Sequence, residues 1–528
     1  MNTTIDQADT VLPDWLSRCA ENFPDHLAIR CGEVRWNFAQ LNQRAVHLAQ
    51  QFIFAGIRAQ SRVAILARNG LEYVATVHAL TRLGAILVPL NIRLTHEELC
   101  WQVSDVQATF LVNDIAHEAQ AHAISQALTN FPQATLTVEP VTHNILLQAT
   151  SRALEASEAA IAETPTNSET DIPLQNMISL GAIQSIMYTS GTTGTPKGVV
   201  ITYGMQWWNA IGSALNLGHR PDDCWLACMP LFHIGGLSIL MRSVINGISV
   251  IVQEKFDAPA VNAAINEDHV SIISVVAVML QRMLADLDAQ QKSYPATLRC
   301  VLLGGGPAPQ PLLEDCAARS IPVVQTYGLT ESCSQAVTLS PADALHKLGS
   351  AGRPLLPVQL RIMNDDKIAA ANEPGTICLK GPSITSGYDH RPEATARAIH
   401  DGWLSTGDIG YLDADGYLYI LDRRSDLIIS GGENIYPAEI EAILLSHPDV
   451  EEAGVCGQDD AQWGQIPIAF VHLKSGSNTG SSVLQAHLQA RLARYKLPRA
   501  IYIVAALPRN SAGKLLRREL PKLLSSQG

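Results

Sequence analysis

Apolar residues recur at helical spacing over residues 38–52 and run unbroken through Val63-Ala64-Ile65-Leu66. They return to helical spacing over 71–83 and run unbroken again through Ala85-Ile86-Leu87-Val88-Pro89-Leu90. A period near 3.6 marks a helix with one buried face, whereas a short apolar run marks a strand covered on both sides. Their alternation predicts an α/β core with largely parallel strands. The pattern lapses over 149–176, where Ala, Glu, Ser and Thr dominate and Pro165 and Pro173 interrupt. That stretch reads as a surface helix and linker carrying no chemistry. Alternation then resumes until Ser340, and residues 352–429 are richer in strands. Asp415-Gly416, set between the apolar runs 409–412 and 417–421, predicts a hairpin.

The charged cluster Asp422-Arg423-Arg424-Ser425-Asp426 marks a boundary. Beyond it Pro437 opens a helix whose Ile440, Ile443 and Leu444 share a face. Val483, Leu484, Leu488 and Leu492 mark another helix, and 501–504 a strand. The chain thus divides into a large α/β domain (1–422), a connecting segment (423–426) and a smaller α+β domain (427–528).

Composition narrows the function classes. A chain of 528 residues exceeds one ordinary core, and 47% apolar with 16% charged residues describes a globular protein. The net charge of −13 argues against nucleic acid or an acidic membrane as partner. No apolar run is long enough to span a bilayer; 271–280 is far too short. The first residues lack the basic-then-apolar pattern of a secretory signal. The ten cysteines are scattered without a C-x-x-C pair, as expected of reduced, mostly buried thiols in a cytoplasmic enzyme.

The densest chemistry lies at Tyr188-Thr189-Ser190-Gly191-Thr192-Thr193-Gly194-Thr195-Pro196-Lys197-Gly198. The glycines let backbone N–H groups turn inward, the hydroxyls add donors, and Lys197 supplies a compact charge, a combination suited to phosphate. Apolar runs before and after it predict a strand–loop–strand setting, unlike the ordinary nucleotide P-loop that opens a helix. Four more clusters follow. Gln325-Thr326-Tyr327-Gly328-Leu329-Thr330-Glu331 offers an aromatic face for a purine, a hydroxyl for a phosphate and a carboxylate for a hard cation, or simply a strand end. Trp403-Leu404-Ser405-Thr406-Gly407-Asp408 places an aspartate where it could accept from ribose hydroxyls or merely form a turn. Gly431-Gly432 precedes the helix at Pro437 and permits close approach of a ligand, or just a helix entry. Pro508-Arg509-Asn510-Ser511-Ala512-Gly513-Lys514 puts a lysine on a glycine loop near the C-terminus.

The five clusters in this order resemble the signature series of the adenylate-forming superfamily of acyl-CoA synthetases, luciferases and peptide-synthetase adenylation domains. The resemblance covers nearly the whole chain. The stretches 229–242, 303–309, 325–331 followed by 337–341, and 422–437 look more narrowly like o-succinylbenzoate–CoA ligases of menaquinone synthesis, although Gly235 stands where many of those carry serine.

The resemblance implies a large multi-subdomain N-terminal α/β domain with a mobile C-terminal domain. It implies ATP, Mg2+ and coenzyme A as reaction partners of a small-molecule carboxylate. Thr189, Ser190, Gly191, Thr192, Thr193, Gly194 and Lys197 would hold the β- and γ-phosphates. Thr330 would bind the α-phosphate, Glu331 the magnesium, Tyr327 with Gly328 the adenine, and Asp408 with Arg423 the ribose. Lys514 would bridge carboxylate and α-phosphate, with Ser425 as the pivot that exchanges its loop for Gly431 and Gly432 once coenzyme A attacks. His233 would line the acyl pocket, or sit as a core histidine, with Gly304, Gly305 and Gly306 as a wall for a flat aryl ring. The same motifs serve other aryl- or fatty-acyl-CoA ligases, adenylation enzymes that load a carrier protein, and a silent adenylate binder. Oligomeric state stays open, a homo-oligomer included.

Overall fold

The protein is seen here in a computed structural model describing residues 10–128, 132–136, 148–149, 174–189, 196–306, 308–344, 346–364, 366–423, 426, 428–430, 433–435, 437–460, 463–492, 494–509 and 515–525. The described chain is mixed α/β, as the apolar periodicity predicts. The run at 38–52 is the helix Phe38–Phe54, begun by a reciprocal cap between Asn37 and Gln40 that satisfies two orphan donors. Its Leu41, Ala45, Leu48 and Phe52 are buried on one stripe. The apolar runs become the paired parallel strands Arg62–Leu66 and Ile86–Pro89, buried on both faces.

Two large sheets hold most of the described strands up to Arg353–Pro354. One has seven described strands and includes the antiparallel pair Ile183–Thr189 and Lys197–Thr202, the strand–loop–strand read from sequence. The other has nine, with the parallel strands Ser249–Val252, Cys224–Ala227, Ile272–Val275, Cys300–Leu303 and Val323–Leu329 at its centre. From Cys224–Ala227 the next strand in sequence lies to one side and the one after it to the other. Such a reversal opens a crevice outside the carboxyl ends of the strands, where α/β folds bind ligands.

A six-stranded antiparallel sheet contains the predicted hairpin, Trp403–Leu412 against Leu418–Arg423. A separate five-stranded sheet begins at Ile428–Ser430 and has its own core around Ile435, Ile440, Leu444, Val455 and Leu484. The helix expected to include Leu492 is Ser481–Gln489; Leu492 packs on this core from the turn that follows. The strand Glu433–Ile435 stands between the glycine pair and the helix Pro437–Leu445, so the pair does not adjoin the helix directly. Most of the expected linker, 150–173, lies outside the described residues. No described helix is long and apolar enough to cross a membrane.

Candidate active site

Parallel strands deliver their following loops to one edge, and Gly304, Gly305 and Gly306 follow one of them. Gly304 leaves the strand Cys300–Leu303 so close to its neighbour that an added Cβ would lie 2.9 Å from Thr326 Cγ2. Gly305 has φ +77°, and an added Cβ there would lie 3.0 Å from Val276 Cγ1. Gly306 is open and exposed.

Tyr327 and Gly328 flank a bulge against the strand Ser334–Thr338. At Gly328 a Cβ would fall 1.6 Å from the Ser334 carbonyl oxygen, so the local backbone itself requires glycine. The strand then runs into the short helical turn Thr330–Ser332, which carries Glu331.

One contact joins this strand to another predicted group, and the turn after it meets Lys197 by way of Tyr388. The buried Tyr327 hydroxyl donates to Asp408 Oδ2 at 2.6 Å. A hydrogen bond to a carboxylate contributes on the order of 1.5–3 kcal/mol, enough to fix the aspartate's rotamer. Asp408 follows Gly407, whose φ is +75°, and lies opposite Arg423 in the strand ladder. The two residues to which the resemblance assigns the ribose are therefore neighbours in the ladder, although the Arg423 side chain lies outside the described residues.

On the other side, Glu331 Oε1 accepts from the Tyr388 hydroxyl at 3.0 Å, and Lys197 Nζ sits 5.2 Å from the centre of the Tyr388 ring. Lys197 is paired in register with Thr189, which closes the two strands at the segment expected to hold phosphate. Burial and the nearby Glu331 carboxylate push the Tyr388 hydroxyl pKa upward, which keeps it a neutral donor. Sequence reasoning missed Tyr388. Only the pair Gly387-Tyr388 hinted at it, and nothing in its spacing pointed to Glu331 or Lys197.

The loop's supports are equally specific. Tyr188 donates to Asp105 Oδ2 at 2.7 Å, and Arg391 pairs with the same carboxylate. The Glu331 carbonyl accepts from the Thr385 amide at 2.8 Å. Behind the turn, Asn209 Nδ2 donates to the Gln335 carbonyl at 2.7 Å, and its Oδ1 accepts from buried Arg242 at 2.6 Å.

His233 is the residue before the helix Ile234–Asn246, in the segment after the switch-point strand, and makes no side-chain capping bond. Asn69 holds its approach by donating to the Met229 carbonyl and accepting from the Leu231 amide, both at 2.9 Å. At Gly236 a Cβ would meet the Pro230 carbonyl oxygen at 2.3 Å, which explains a glycine inside the first turn. His233 Nε2 is buried with no partner among the described residues. Burial, and to a lesser degree Arg93, lowers the His233 pKa to about 4, and burial does the same first for His219.

Both imidazoles are neutral when folded, whereas in the unfolded chain they take a proton near pH 6.5. Between about pH 6.5 and pH 4 the unfolded state binds more protons, so stability rises with pH across that window and is lost on acidification. The melting temperature is expected to fall from pH 7 to pH 5, and His233→Gln to flatten that fall. An equally steep fall in the variant would contradict the assignment.

A magnesium ion fits this donor set. Among the described residues no cluster of three or more His, Cys, Asp or Glu forms a protein cage for a metal. Magnesium needs none, since it keeps waters, takes phosphate oxygens and uses one or two carboxylates, a part Glu331 would be able to fill. Ser190, Gly191, Thr192, Thr193, Gly194, Ser425, Gly431, Gly432 and Lys514 lie outside the described residues. Around the lysine loop, however, Arg509 bridges to Leu515, and Arg517 binds both Glu441 and Asp426.

Comparison with known proteins converges on one group. Residues 16–389 match the family described as AMP-binding enzyme, and 439–514 match its C-terminal domain. The chain is 50% identical over 515 residues to a 2-succinylbenzoate–CoA ligase of Geobacillus kaustophilus, covering 98% of each chain. It is also similar to the solved o-succinylbenzoate CoA synthetase of Bacillus subtilis in complex with its acyl-adenylate intermediate. There the TM-score is 0.85 at 40% identity, over 97% of this chain and 98% of that one. The same enzyme with ATP and magnesium gives a TM-score of 0.83 at 39% identity, over 97% of this chain and 100% of that one.

Proposed function

The chain belongs to the AMP-binding enzyme family, and from that premise we propose that it joins 2-succinylbenzoate to coenzyme A in an ATP-dependent, AMP-forming reaction of menaquinone biosynthesis. The observation that carries this reading is 50% identity to a named 2-succinylbenzoate–CoA ligase over 98% of both chains.

The chemistry follows from a poor leaving group. A carboxylate cannot be displaced by a thiolate because oxide would have to leave. Attack of a carboxylate oxygen on the α-phosphorus of ATP forms a mixed anhydride and releases pyrophosphate. The thiolate of coenzyme A then attacks the acyl carbon, and AMP departs. The first step brings two anions together, so fixed positive charge and donors must stand where charge accumulates.

In this reading the phosphate loop with Lys197 retains the departing pyrophosphate, and Thr330 donates to the α-phosphate. Asp408 accepts from the ribose, held ready by Tyr327. Glu331 would hold magnesium, which when bound neutralises phosphate charge. Lys514 spans carboxylate and α-phosphate, and a turn at residues 423–426 about Ser425 exchanges its loop for Gly431-Gly432. His233 and Gly304–Gly306 border the acyl group, with the neutral imidazole adding no charge beside it. A cytoplasmic location fits the reading, since the ten cysteines are free thiols.

The test is pyrophosphate release with ATP and a panel of acids: 2-succinylbenzoate, benzoate, cinnamate and a fatty acid. Release is expected to be fastest with 2-succinylbenzoate and to continue with thioester formation when coenzyme A is added. Preference for another acid, or no thioester, would overturn the reading.

A further inference from the structure

We propose that Tyr388 is a positioning residue that couples the magnesium carboxylate Glu331 to the phosphate-loop lysine Lys197, so that metal and pyrophosphate sites are set by one side chain. The inference rests on the adenylation reading above and deepens it. Its ground is a juxtaposition that no single motif contains. The Tyr388 hydroxyl donates to Glu331 Oε1 at 3.0 Å, while its ring face lies 5.2 Å from Lys197 Nζ.

The backbone around Tyr388 is fastened to both partners' elements. Val199, two residues after Lys197, forms an isolated β-bridge with Tyr388. The Asp389 amide donates to the Gly198 carbonyl at 2.8 Å, and the Val200 amide donates to the Gly387 carbonyl at 3.2 Å. Thr385 donates through its hydroxyl to the Val200 carbonyl at 2.6 Å and through its amide to the Glu331 carbonyl at 2.8 Å. The segment 385–391 is therefore a strap across the seven-stranded sheet and the Glu331 turn. Tyr388 is the point on it that reaches both functional groups.

The two ends of the side chain do different work. The hydroxyl bond leaves Glu331 one oriented carboxylate geometry, as partners of metal ligands generally do. The ring attracts the Lys197 ammonium through its negative face, a contact that survives loss of the hydroxyl. Phenylalanine and leucine at position 388 consequently separate the functions: Tyr388→Phe removes the carboxylate bond alone, and Tyr388→Leu removes both.

The experiment titrates Mn2+, as a paramagnetic stand-in for Mg2+, into the full-length protein with ATP and no acid, reading bound metal by electron paramagnetic resonance. ATP binding without metal is measured separately by calorimetry. Tyr388→Phe is expected to weaken metal binding in the ATP complex by about tenfold, within the range for lost partners of metal ligands, and to leave metal-free ATP binding at the parent value. Tyr388→Leu is expected to weaken both.

Parent-like metal affinity in Tyr388→Phe, with Glu331→Gln losing the metal, would overturn the coupling while sparing the role of Glu331. Glu331→Gln that kept the parent's metal affinity would overturn both. Because the titration contains no acid, neither result depends on which acid the parent enzyme activates. Thermal melting of Tyr388→Phe, expected to match the parent, separates positioning from misfolding; a large loss of stability would overturn the assigned role in favour of a structural one.

Discussion

Replacing Lys514 with alanine is expected to slow acyl-adenylate formation by about a thousandfold, the upper range for removing one charge-stabilising donor from a reacting centre. Conversion of supplied 2-succinylbenzoyl-adenylate to thioester should proceed at the parent rate, because in the proposed reading the loop of Lys514 has by then been exchanged for Gly431-Gly432 and AMP departs without it. The match to the family's C-terminal domain ends at Lys514. The flanking chain is well anchored: the Leu516 amide donates to the Pro508 carbonyl at 2.9 Å, and Arg517 Nε donates to Glu441 at 2.9 Å. Thermal melting of the variant, expected to match the parent, checks that this framework is kept. The check is rapid-quench measurement of the two half-reactions separately. Equal loss in both would remove Lys514 from its assigned role.

The second large effect is on stability. Gly328→Ala places a Cβ 1.6 Å from the Ser334 carbonyl oxygen, a separation that only backbone movement can relieve. The bulge would have to open, shifting Tyr327 away from Asp408 and the turn that carries Glu331. A loss of about 3 kcal/mol is expected, the upper part of the range for overpacking because backbone must yield rather than a side chain. Gly306→Ala is the control, since a Cβ there meets nothing within 4 Å. Denaturant titration of both variants checks the pair. A Gly328→Ala protein as stable as the parent would show that the bulge is not rigid.

The sequence pattern made the local elements legible wherever period and burial agree. Residues 38–52 fold as the helix Phe38–Phe54, because the same spacing that suggested a helix builds the buried stripe. The hairpin around Asp415-Gly416 was equally plain, with Gly416 at φ +80° where a turn needs it. Leu492 was misplaced for a physical reason: burial against a core looks the same in sequence whether the residue belongs to the helix or to the turn after it.

The motifs and the resemblance they carry singled out Lys197, Tyr327, Glu331 and Asp408, and the fold shows partners that the motifs do not contain. Tyr388 stands 57 residues from the carboxylate it holds. Arg242 holds Asn209, which supports the far side of the Glu331 turn, across 33 residues of chain. Such partners are chosen by the packing of two sheets and a strap, and no local period encodes them. Gly328 is the converse case. It resembles a ligand-contacting glycine in the motif, while its neighbour Ser334 already accounts for it.

The most direct measurement follows an oxygen atom. With 2-succinylbenzoate labelled by 18O in its carboxylates, attack on the α-phosphorus transfers one carboxylate oxygen to the nucleotide product. Mass spectrometry after a full turnover with ATP and coenzyme A should find AMP heavier by one 18O, unlabelled pyrophosphate and the acyl-CoA thioester. Unlabelled AMP, or ADP with labelled phosphate, would contradict an acyl-adenylate formed in this cleft.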